Sequence, residues 1–246
     1  RRESEVSSGG AIELGSSILG GQTIVGVKIK NCVLYGESDA PAVAFKPIEG
    51  DSATYVGLSI ENNLFISGGT DAIYIGETLV SASVSLLNCS ISNNVFQPNE
   101  DADGKAIYLA NANVTSVHGL NIVGNNCSNS YSRNVDFIIS PPAAVDTSRI
   151  IFSENVNVYD VTLGSNSGLQ YSNITSNIIR GDLTFNAAIQ NSIVSENNIV
   201  GALTSLISNS NNIINNKMAT LSLTTVTDSI IELNTANATI GSVSSS

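Results

Sequence analysis

The chain has 246 residues and a mass of 25.6 kDa; 42% of it is apolar, 5% aromatic and 13% charged, with no Trp, one Met and one His. That length and a mean hydropathy of +0.16 suit a chain with a buried core rather than a disordered one. Ten Lys and Arg against 21 Asp and Glu leave a net charge of −11, which argues against nucleic-acid and membrane-surface roles, and no apolar run reaches the about 18 residues of a helical membrane span.

Residues 1–10, opening Arg1-Arg2-Glu3-Ser4-Glu5, contain no hydrophobic stretch of the kind a secretory signal peptide needs. They read as a leading loop that enters the fold partway round a repeat. Ala11-Ile12-Glu13-Leu14-Gly15 matches Ala72-Ile73-Tyr74-Ile75-Gly76, and Ile12 precedes Asn31 by 19 residues as Ile73 precedes Asn94 by 21. From there the pattern apolar-x-x-Asn-x-apolar recurs around Asn63, Asn94, Asn125, Asn177, Asn197 and Asn216, with weaker copies at Asn31, Asn155 and Asn234. These nine anchors are 32, 31, 31, 30, 22, 20, 19 and 18 residues apart.

Each anchor is followed by a second signature, an apolar-x-apolar triplet that reads as a short strand with alternate residues inside. The triplets begin at Val43, Ile73, Ile107, Phe137, Val161, Leu183 and Leu221. In the first four repeats the triplet starts 10 to 13 residues after the anchor and in the last ones five or six, which predicts an insertion at one turn of the long repeats. Residues 11–240 are thus expected to form one all-β solenoid of about ten coils, and residues 241–246, Gly-Ser-Val-Ser-Ser-Ser, a flexible tail. Asn-marked turns in a β-sandwich are the competing reading, but a sandwich has no reason to repeat both signatures in phase. A solenoid end needs a cap and none is visible before Ile12, so a longer protein or a covering subunit is expected there.

The coil series resembles the right-handed parallel β-helix superfamily of pectate lyases, glycoside hydrolases and phage tailspikes. The resemblance implies a turn asparagine in the left-handed backbone region, stacked on the Asn of the next coil about 4.8 Å away. Cys32 and Cys127 fall three coils apart and Cys89 in another column, so no disulfide is expected. Free thiols favour folding in a reducing cytosol, as virion proteins do.

Chemistry is sought on the long coils, because function concentrates on loops held by a rigid scaffold. Their insertions carry Glu37, Asp39, Asp71, Glu100, Asp101, Asp103 and Asp136. Crowded carboxylates raise one another's pKa, as a general acid beside an ionised partner requires, and Asp71, Asp101, Asp103 and Asp136 are the catalytic candidates; a solvated acidic rim is the alternative. The middle residues of the triplets form an outward column, Glu13, Ala44, Tyr74, Tyr108, Ile138, Thr162, Thr184, Thr204 and Ser222. Tyr74 and Tyr108, with Arg133, are candidates for substrate contact, although the stripe from Ala44 to Ile138 equally suits subunit packing.

Gly69-Thr70-Asp71-Ala72 resembles the Asn-Thr-Asp-Gly segment of polygalacturonases, which implies a catalytic carboxylate at Asp71. The paired Asp-Asp, Gly-His-Gly and Arg-Ile-Lys elements of that family are missing; His118 stands in Val117-His118-Gly119 at another turn. Pectate lyases use an arginine base with calcium, and Arg133, Arg149 and Arg180 lie in no such motif. Asn99, Asp101 and Asp103 repeat the first half of a calcium loop, but its twelfth position is Ala110, so calcium is a candidate there and no other metal or cofactor is expected. The functional expectation is a segment of a homotrimeric viral tailspike or tail fibre at the virion surface that binds, and in one version cleaves, a bacterial surface polysaccharide. A non-catalytic structural or adhesive β-helix, and a secreted polysaccharide lyase or glycoside hydrolase acting outside the cell, are the alternatives.

Overall fold

Apolar and polar residues alternate with a period of two in runs of three to five, and the chain accordingly forms strands throughout, with no helix among the described residues. The computed structural model describes residues 12–14, 21–36, 40–45, 52–67, 71–76, 83–98, 105–109, 114–127, 136–141 and 146–244. Each strand pairs in parallel with the equivalent strand of the next coil, giving one sheet of 23 strands and a second of nine. The chain is an all-β parallel β-helix.

The nine-stranded sheet shows the economy of the repeat. Its strands are three residues long, from Lys28–Lys30 and Ser59–Glu61 to Ile230–Glu232, and the middle residue of each points inward. Ile29, Ile60, Ile91, Ile122, Phe152, Ile174, Val194 and Ile213 therefore stack as one buried column. Burial of each such side chain contributes about 1.5–3 kcal/mol. Aromatic contacts continue the core between columns, with Phe65 and Phe96 stacked at 5.0 Å and Phe137 set edge-on to both Phe96 and Phe152.

The asparagine column is an unbroken amide ladder. The side-chain nitrogens of Asn63, Asn94, Asn125, Asn155, Asn177, Asn197 and Asn216 each donate to Oδ1 of the next ladder asparagine, ending at Asn234. The same oxygen accepts the backbone N–H of the previous ladder residue, and the second amide hydrogen reaches a strand carbonyl, as from Asn94 to Ile60. The buried amides are thereby paired in both directions.

The ladder corrects two expectations. The left-handed residue is not the ladder asparagine but the one before it: Asn62, Asn93, Gly124, Glu154, Ser176, Glu196, Asn215 and Leu233 all have φ near +55° to +67°. Asn31 is one of these, since Lys30 pairs with Glu61, so the ladder place in the first coil falls to Cys32, whose N–H donates to Asn63. The bend needs its turning residue outside, with φ reversed, so that the following side chain points into the core. Cys32, Cys89 and Cys127 are free thiols, and burial pushes the last two up in pKa, Cys127 well up.

Two boundaries also differ from the sequence reading. The extra length of the long coils lies on both sides of the triplet strand rather than at one turn. Five residues separate the strand ending at Ser67 from the triplet at Ile73, and seven separate Ile75 from the strand starting at Ser83, whereas in a short coil Leu183–Gln190 is one continuous strand. At the other end, the segment read as a tail from Gly241 continues as the strand Thr235–Ser244, where Ser242 pairs with Thr225 and Ser244 with Thr227. Backbone pairing with the preceding strand sustains it although most of its side chains are small.

Candidate functional site

The triplet strands stack in the register expected of an outward column. Glu13, Ala44, Tyr74, Tyr108, Ile138, Thr162, Thr184, Thr204, Ser222 and Thr239 are successive partners. Ala44 is nonetheless fully buried. Tyr74 and Tyr108 are half-buried, with nearly parallel rings 5.8 Å apart at 18°. The two rings thus stand side by side on adjacent coils.

Beside this column runs a second one that the sequence reading found only in part. Asp136, Asp160 and Asp182 immediately precede the triplets at Phe137, Val161 and Leu183, and strand alternation puts them on the same face as Ile138, Thr162 and Thr184, about 6.6 Å along the strand. Each carboxylate folds onto the next coil. Asp160 N–H donates to Asp136 Oδ1 at 3.2 Å, Asp182 N–H to Asp160 Oδ1 at 2.7 Å, and Ala202 N–H to Asp182 Oδ1 at 2.7 Å. Glycines make room for this: a Cβ at Gly181 would lie 2.0 Å from Asp160 Oδ1, and one at Gly201 2.0 Å from Asp182 Oδ1. The sequence signal is Asp directly before a triplet, with Gly181 before Asp182, and it continues from the last long coil at Asp136 into the short ones.

Asp71 and Lys105 complete the face. Lys105 N–H donates to Asp71 Oδ1 at 2.7 Å, and Lys105 Nζ pairs with Asp136 Oδ2 at 2.9 Å. Asp71 and Asp136 are thus linked through Lys105, each bound to it. Burial pushes the Asp71 carboxyl above the usual carboxylate range, opposed by the Lys105 backbone and charge. Asp160 is also raised, first by burial and further by the neighbouring Asp136 and Asp182 charges. In both, burial favours the protonated form over the charged one.

Asp101, Asp103, Arg133 and the calcium candidate Asn99 lie outside the described residues, as do Glu37, Asp39 and Glu100. Among the described residues no three His, Cys, Asp or Glu side chains are grouped to hold a metal ion. His118 pairs through Nδ1 with Ser148 Oγ at 2.9 Å on a different strand, away from the triplet face. A further polar column escaped the sequence reading: Ser172, Ser192, Asn211 and Ser229 stack at the other bend, each accepting the backbone N–H of the coil before. Its places in the earlier coils are apolar or Cys, as at Leu58, Cys89 and Leu120, so it starts only where the coils shorten.

Comparison of the chain with protein-family models, with curated proteins and with solved structures gave no match.

Proposed function

We propose that this chain is a segment of a viral tailspike or tail-fibre β-helix, related to the pectate-lyase-like and tailspike-like solenoids, that binds a bacterial surface polysaccharide along the triplet face. The observation that carries the reading is the nearly parallel Tyr74–Tyr108 pair beside the carboxylate column on a parallel sheet. Uncovered ring surface supplies apolar area for the C–H faces of sugars, while carboxylate oxygens left over from the ladder bonds accept their hydroxyls. Coils at about 4.8 Å spacing repeat these groups along one line, as an extended glycan does.

Binding is favoured over cleavage because each described carboxylate of the face already holds a backbone N–H, which keeps it in place as an acceptor. Cleavage is the second reading and rests on Asp71, whose burial favours the protonated acid. We place the protein at the virion surface as a homotrimer, a reading supported by the three free cysteines and the long repeat.

The test is equilibrium binding of surface polysaccharide fragments, read by calorimetry. Tyr108→Ala is expected to weaken binding at least tenfold with an unchanged far-ultraviolet spectrum, and equal affinity would refute the site. New reducing ends that vanish in Asp71→Asn would establish the second reading. A native mass of three times the 25.6 kDa chain supports the fibre; a monomer of this chain would count against it.

A further inference from the structure

The charge of the triplet face selects the class of glycan. Its described residues include Asp71, Asp136, Asp160 and Asp182; against them stand Lys105, already paired with Asp136 at 2.9 Å, and Arg180, two residues before Asp182, so the carboxylates outnumber the cations. A whole-chain charge of −11 sets the same sign at long range.

A uronate, sialate or phosphate group brought to the tyrosine pair would have to leave water beside carboxylates that outnumber the cations among the described residues of the face. Like charges repel more strongly near a protein surface than in water, so an anion seated against this column opposes what the rings supply. Hydroxyl, acetamido and amino groups meet the opposite situation. They are donors facing a row of acceptors, and an amino group gains in addition from charge.

We propose that the polysaccharide taken by the Tyr74–Tyr108 face is non-anionic, a neutral or amino-sugar chain recognised through its hydroxyl, acetamido and amino groups. This rests on the reading of that face as a glycan site. The raised pKa of Asp160, part of which comes from Asp136 and Asp182, agrees with it: like charge is already crowded on the face before any ligand arrives.

The experiment is a binding panel on the whole chain with bacterial surface polysaccharides sorted by charge, together with chitosan oligomers and oligogalacturonate as amino-sugar and uronate probes. Each is measured with and without 2 mM calcium, roughly, and for wild type and Tyr108→Ala. The expected result is Tyr108-dependent binding of neutral or amino chains, at least tenfold tighter than any uronate, with amino-sugar affinity falling as salt is raised. Uronate bound as tightly, directly or only with calcium, and lost in Tyr108→Ala, would overturn the charge rule while leaving the face a glycan site. Binding of any chain that is indifferent to Tyr108→Ala, or no binding across the panel, would overturn the site itself and the charge rule with it.

Discussion

Replacing Asn94 by Ala tests the amide ladder where it is fully buried. The substitution removes Oδ1, which accepts both the Asn63 backbone N–H and the Asn63 side-chain amide at 3.0 Å. It also removes the donors to Ile60 O at 2.9 Å and Asn125 Oδ1 at 3.1 Å. Asn63 Nδ2 keeps Ile29 O, and Asn125 Oδ1 keeps the backbone N–H of residue 94. The main loss is thus the buried Asn63 N–H, at about 1–3 kcal/mol for an orphaned group, with a smaller sum for the bonds that retain one partner. A destabilisation of about 2–4 kcal/mol follows, or roughly 5–15 °C in melting temperature for a chain of this size. Urea unfolding at constant slope measures the first, and amide exchange locates it, with protection lost at residue 63 ahead of neighbouring coils. Asn234→Ala, at the half-buried end where water can reach the freed groups, is expected to cost less than half as much. Equal costs at 94 and 234, or a shift below 1 °C at Asn94, roughly the error of such a scan, would refute the ladder as a stabilising element.

Gly181→Ala is expected to destabilise by about 1–3 kcal/mol, because its Cβ meets Asp160 Oδ1 at 2.0 Å and Tyr159 O at 2.9 Å; in the double variant with Asp160→Ala the cost should be less than additive, and strict additivity would deny the carboxylate–glycine contact. Asp71 has its folded pKa raised above the unfolded value, so the folded state binds its proton more readily and this group's contribution to stability falls as pH rises from about 4 through the raised pKa. Asp71→Asn keeps an acceptor for Lys105 N–H and should raise the melting temperature at pH 7 relative to pH 4; an unchanged pH profile would contradict the burial effect. Leu233 holds φ +55° with 75% of its surface exposed, so Leu233→Asn should stabilise by about 1 kcal/mol, and a lower melting temperature would show the Leu side chain to be packed.

The two sides of the triplet strand show how far the sequence could be read. Tyr74 and Tyr108 were visible as stacked partners because the triplet repeats in phase, and strand alternation turns phase directly into a face. That their rings lie 5.8 Å apart at 18°, and that Ala44 above them is buried, depends on the packing of the coils, which no period encodes. Asp160 and Asp182 were equally regular, but their meaning lies in a bond to the N–H of the next coil about 20 residues on, and only the register shows that bond.

The solenoid is legible from the repeat alone. A repeated strand period and an asparagine at every bend can be satisfied together only by stacking like on like, since a buried amide column finds its partners nowhere else. Tertiary structure alone decided the exchange of place at Asn31 and Cys32, the second column of Ser172, Ser192, Asn211 and Ser229, and the carboxylate ladder bound to Lys105. Each turns on a one-residue register or on space freed by a missing side chain, and a one-residue slip reverses which face a side chain occupies while leaving the composition and the period of the sequence unchanged.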